Sequence, residues 1–88
     1  MKIKKGFVLE EVGDSYLACA TGKLAKNFSA LIRLNETGAF LWRQLEARDM
    51  TVDALATVLA EEYDVSEDIA KKDVEVFIQS LLAKGIAE

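Results

Sequence analysis

Five carboxylates crowd one short stretch of the 88-residue chain: Glu61, Glu62, Asp64, Glu67 and Asp68. Acids at that density would suit a calcium loop or an acid–base pair. A calcium loop needs oxygen ligands at fixed intervals around a central glycine, and this stretch has neither, so a charged cap between two helices is the stronger reading. Histidine is absent, which removes the commonest general base and the commonest transition-metal ligand. With one cysteine, Cys19, zinc sites of the Cys/His type are excluded too. Cys19 lies in an alternating segment without an imidazole to activate it, and reads as a small buried hydrophobe rather than a nucleophile. Gly22 and Gly38 lack the glycine-rich pattern and lysine of a phosphate loop. Trp42 reads as core. No catalytic, cofactor-binding or metal-binding residue is assigned, no cofactor is expected, and the chain is not expected to be an enzyme.

The elements that would position any site are ordered by apolar period. The chain turns on the stretch from Ile32 to Trp42. Ile32 and Leu34 alternate as in a strand. At Asn35, a favoured N-cap, the pattern becomes helical, with Glu36 at the positive end of the helix dipole and Phe40, Leu41 and Trp42 supplying apolar mass. Gly38 in that helix costs about 1 kcal/mol against alanine, which suggests that a neighbouring backbone passes close by. Residues 6–12 and 16–21 read as a strand hairpin about a Gly13-Asp14 turn, 22–27 as a polar connection, and 30–34 as a third strand. A meander of three strands leaves the first and third as edges. One helix runs over about 36–47, a second from its cap at Thr51 to about Tyr63, and a third from its cap at Ser66 to Lys84, where Gly85 stands as the terminating glycine. The fold class is α+β: a three-stranded antiparallel sheet followed by three helices, in a winged helix-turn-helix-like arrangement, with residues 1–88 forming one domain.

Half of the chain is apolar (51%) and proline is absent, a composition that argues against disorder. A single cysteine makes no internal disulfide, and no hydrophobic signal region follows Lys2, Lys4 and Lys5. Together these point to the cytosol. No apolar run approaches the roughly 20 residues of a membrane span. The net charge of −4 is uneven: residues 1–33 carry six Lys/Arg against three Asp/Glu, a net +3, whereas 34–88 carry five against twelve, a net −7. Most of this is solvated surface, with an acidic partner for the sheet end as the sharper reading.

The third helix is unusually apolar around its circumference. From Ile69 and Val76 through Phe77 and Leu81 to Ile78 and Leu82, its apolar side chains span roughly 240°, whereas a surface helix needs a stripe a little over 100° wide. Either the helix is wedged between two layers, or one flank is an exposed apolar wall of the kind that marks a binding site.

The run Leu34-Asn35-Glu36-Thr37-Gly38-Ala39-Phe40-Leu41-Trp42 resembles the "LN-x-T-A/G" core motif of the coenzyme PQQ synthesis protein D (PqqD) family. Thr51-Val52-Asp53-Ala54-Leu55 with Glu62-Tyr63-Asp64-Val65 is similar to its second helix, and Asp73-Val74, Phe77, Leu81 and Gly85 to its third. The likeness covers about residues 5–87 and departs from PQQ-pathway members at the N-terminus, where their proline-bearing start is missing. It implies a peptide chaperone, a recognition element that binds the leader of a ribosomally made precursor peptide and delivers it to a modifying enzyme, typically a radical SAM protein. No nucleic acid or membrane partner is expected, and the oligomeric state is a monomer or weak homodimer. The expected mode is strand addition, in which backbone bonds give affinity and pockets read alternate side chains. The expected site combines the third strand (Ser29, Ala30, Leu31, Ile32, Arg33, Leu34) with one flank of the third helix (Lys71, Val74, Glu75, Ile78, Leu82). The other flank, with Ile69 and Val76, stays open because the sequence does not fix the roll of the helix. The alternative function is a winged-helix nucleic-acid-binding regulator, which the acids of the third helix (Glu67, Asp68, Asp73, Glu75) disfavour, since phosphate contact needs a basic face.

Overall fold

Alternating apolar residues build the sheet, and the computed structural model, which describes residues 1–21 and 32–88, shows their pairing. Strand β1 (Phe7–Val12) pairs antiparallel with β2 (Ser15–Ala20) in the register Phe7–Ala20 to Val12–Ser15. The two-residue turn Gly13-Asp14 has φ +59° at Gly13, a conformation that glycine adopts freely and that tight hairpins require. Strand β3 (Ile32–Leu34) pairs antiparallel with β2, Tyr16 opposite Leu34 and Ala18 opposite Ile32. Phe7, Leu9, Tyr16, Ala18, Ala20, Ile32 and Leu34 therefore share one face, and all of them pack into the core. The order is β1-β2-β3, so β1 and β3 are the edges among the described residues. Ser29, Ala30 and Leu31, expected to extend the third strand, and the connection 22–27 lie outside the described residues. Cys19 differs from expectation: its register opposite Val8 puts it on the outer face of the sheet, half-buried.

Three capped helices follow: α1 (Glu36–Ala47), α2 (Val52–Tyr63) and α3 (Glu67–Ala83). Asn35 Oδ1 accepts from the Gly38 amide at 2.8 Å and from the Thr37 hydroxyl at 2.9 Å. Thr51 and Ser66 cap α2 and α3 by the same chemistry, accepting from the amides of Ala54 and Ile69. At the far end of α3, the Ile86 amide donates to Leu81 O at 2.9 Å and the Gly85 amide to Leu82 O at 3.1 Å, with Gly85 at φ +70°. That pair of bonds satisfies carbonyls the helix would otherwise leave open. Asp64 ends α2 in the left-handed region at φ 52°, which aspartate tolerates better than most side chains.

The core joins both layers. Trp42 and Leu41 of α1, Leu55 and Leu59 of α2, and Val74 and Leu81 of α3 are all buried to within 2%. Past Gly85 the chain does not fray. Ile86 and Ala87 are buried, Ala87 bridges Ile3, and Lys2 and Glu88 exchange backbone hydrogen bonds at 2.9 Å. Among the described residues no helix is long and apolar enough to cross a membrane.

Candidate peptide-binding groove

Because β3 pairs only with β2 among the described residues, its other side presents alternate backbone donors and acceptors to a further strand. Beside that edge lies a cleft of about 800 Å³. Ile32, Arg33 and Leu34 of β3 form one wall, and Asp73, Val76, Phe77 and Ser80 of α3 form the other. Gly38 and Leu41 of α1 lie between them, and Asp14, Ser15, Asn35 and Thr37 close the end nearest the β1–β2 turn.

Each wall follows from local rules. In β3 the pleat turns Ile32 and Leu34 to the helical layer and Arg33 to the opposite face, where it is exposed. In α3 the spacing Asp73, Val76, Phe77, Ser80 is i, i+3, i+4, i+7, which gathers these residues on one face. Val76 is 69% exposed, the most exposed large apolar side chain among the described residues, whereas Phe77 is buried at the boundary with the core. The Ser80 hydroxyl donates to Phe77 O of its own helix at 2.7 Å, so that proton is committed. The crowding at Gly38 comes from side chains and not from a passing backbone: a β-carbon there would sit 3.2 Å from both Asn35 Oδ1 and Leu34 Cβ. Glycine thus allows the strand, the cap and the helix to meet in one place while keeping the cleft open.

The structure brings together Ile32, Arg33 and Leu34 of the expected residues, and places the α3 residues of that set elsewhere. Val74 (0% exposed) and Ile78 (4%) are core side chains, which corrects the expectation of an apolar wall there. Lys71 reaches Asp53 at the start of α2, 3.6 Å away. Glu75 is exposed and does not line the cleft, and Leu82 is exposed away from it. The flank that borders β3 is the one carrying Val76, joined by Asp73, Phe77 and Ser80. Arg33, Asp14 and Asp73 form no ion pair within 4.0 Å among the described residues.

A second cluster lies apart from the cleft. Phe40 and Tyr63 meet edge to face with centroids 5.6 Å apart, and the Arg43 guanidinium sits 5.5 Å from the centre of the Tyr16 ring. Desolvation pushes the Tyr63 phenol above its ordinary value, helped by the nearby charges of Glu36 and Glu62. Among the described residues no group of three or more His, Cys, Asp or Glu side chains is placed to hold a metal ion.

Comparison with known proteins bears on this geometry. The family model for coenzyme PQQ synthesis protein D (PqqD) matches residues 8–87. No curated protein matches the chain. Among solved structures, TbiB1 in complex with the TbiA(beta) leader peptide superposes with a TM-score of 0.78 at 20% sequence identity, over 100% of this chain and 95% of that one. At that identity the likeness establishes a shared fold.

Proposed function

We propose that this chain, which belongs to the coenzyme PQQ synthesis protein D family, is a peptide chaperone. It binds the leader segment of a ribosomally made precursor peptide by strand addition to β3 and presents it to a modifying enzyme, of the radical SAM class on the family resemblance. The observation that carries the reading is that β3 is an edge among the described residues and faces an exposed apolar residue, Val76, across the cleft. An extended peptide seated there gains backbone hydrogen bonds along β3 and sets alternate side chains against Val76 and Phe77. The fold shared with TbiB1, which is solved with a leader peptide bound, supports the same reading. The protein performs no chemistry of its own on this view and works in the cytosol, where precursor and enzyme are made.

Leader peptides encoded by short genes beside this one, labelled with fluorescein and titrated with the protein, provide the test. Saturable binding that shifts the amide resonances of Ile32, Arg33 and Leu34 together with those of Asp73, Val76 and Phe77 is the expected result. Binding that shifts only resonances remote from β3 and α3 would exclude strand addition at this edge.

A further inference from the structure

We propose that the groove selects its peptide by charge at alternate positions, taking an acidic side chain beside Arg33 on the outer face of the sheet and a cationic one on the helix-facing side, against Asp73 and Asp14. On the strand-addition reading above, register supplies the geometry. A strand paired with β3 places each side chain about 4.5–5.5 Å from its opposite number, on the same face of the sheet. Arg33 lies on the face opposite to Ile32 and Leu34. The peptide residue paired with Arg33 therefore shares that outer face, and its two neighbours point towards α3.

Next to the β3 edge the two faces differ in charge, and Glu10, which shares the outer face with Arg33, lies one strand further away across Leu17. Arg33 stands on the outer face. On the inner one, Asp73 lies one turn before Val76 and Phe77, and Asp14 closes the end of the same cleft. None of Arg33, Asp73 and Asp14 has an ion-pair partner within 4.0 Å among the described residues, while Lys71 and Lys2 each do. A uniformly acidic peptide would be attracted on one face and repelled on the other, and a uniformly basic one likewise. The favoured occupant is an extended segment with apolar residues for Val76 and Phe77, a carboxylate on the outer face, and a lysine or arginine among the inner positions.

Three fluorescein-labelled synthetic peptides with the same alternating apolar scaffold test this. One carries Asp at the outer position and Lys at one inner position, one carries Asn and Gln there, and one carries Lys and Glu. Each charge pair at a partly exposed site should change affinity about two- to fivefold, so the first peptide should bind on the order of tenfold tighter than the third. The difference should shrink with added salt. Arg33→Glu should invert the preference at the outer position, and Asp73→Lys that at the inner position. Equal affinity for all three would overturn the charge selection and leave strand addition standing. Binding by none of them would overturn both.

Discussion

Replacing Val76 by aspartate should weaken leader binding and leave the fold intact, whereas the same replacement at Ile78, two residues on, should unfold the protein. The contrast follows from burial. Val76 is 69% exposed, so roughly two-thirds of its side chain remains for a bound strand to cover. Full burial of a valine contributes about 1.5–3 kcal/mol, which puts the share open to the peptide at about 1–2 kcal/mol, or roughly 5- to 30-fold in affinity. A carboxylate at that position loses the contact and adds the cost of desolvating a charge at the rim of the cleft. Ile78 is 4% exposed. Removing its side chain from the core costs about 2–5 kcal/mol, and burying an unpaired charge costs more. Together these consume most of the 5–15 kcal/mol that holds a typical domain folded. Fluorescence polarisation with a labelled leader, and far-UV circular dichroism through a urea titration, separate the two effects. Leu82→Asp is the control, since Leu82 is 49% exposed but does not line the cleft; its affinity should stay within about twofold of the parent, the scale of ordinary surface substitutions. A folded Val76→Asp variant with undiminished affinity would refute the placement of the peptide. A natively folded Ile78→Asp variant would refute the burial of that side chain.

Other consequences are open to simple measurement. Asn35→Ala removes the acceptor of two hydrogen bonds at 2.8 and 2.9 Å and should cost about 0.5–2 kcal/mol; an unchanged urea midpoint would show that the cap contributes nothing. Gly85→Ala forces a β-carbon into φ +70° and should cost about 1–2 kcal/mol, so a variant as stable as the parent would contradict that backbone. In a Tyr16→Phe background Tyr63 is the one remaining tyrosine of two, and its phenolate absorbance should appear above the ordinary tyrosine midpoint of 10.0, because burial and the Glu36 and Glu62 charges oppose ionisation. A folded pKa above the unfolded one means that the native state holds the proton longer. This contribution to stability is therefore complete below pH 10 and declines as pH rises through the folded value; a phenol titrating at or below the ordinary midpoint would contradict the environment described.

What the sequence made legible was the local chemistry. Asn35, Thr51 and Ser66 were readable as caps because capping depends on one side chain and the amides two or three residues on. Gly13 and Gly85 were readable because a reversal and a helix end each demand a backbone that glycine reaches freely. The alternation of Ile32, Arg33 and Leu34 placed Arg33 outward without knowledge of any partner strand. Long-range relations were less accessible. The packing of Ile86 and Ala87 and their pairing with the segment around Ile3 depend on two stretches more than 80 residues apart in the chain, and nothing in the period of either announces the other. Gly38 was recognisable as a position under constraint, but the source of that constraint, Leu34 and Asn35 from the preceding turn, is a matter of three-dimensional approach.

The roll of α3 was the decisive ambiguity, and its resolution shows which clue counts. Apolar width alone says that some side chains are left over after the core is filled. It does not say on which side, because Ile69 and Val76 flank the stripe Ala70, Val74, Phe77 and Leu81 on one hand and Leu82 flanks it on the other. Connectivity breaks the tie. Helix α2 runs into α3 through a three-residue turn, so it must lie along one flank, and the sheet can border only the other. The flank that belongs to α2 is marked by charge: Lys71, which the sequence reading put in the groove, meets Asp53 across the pair at 3.6 Å. Once Lys71 is assigned to the α2 side, a helical wheel puts Asp73, Val76 and Ser80 on the side facing β3. On the proposed strand-addition reading, the binding wall is whichever part of α3 neither the core stripe nor the neighbouring helix uses, and its exposed valine is what an incoming strand would cover.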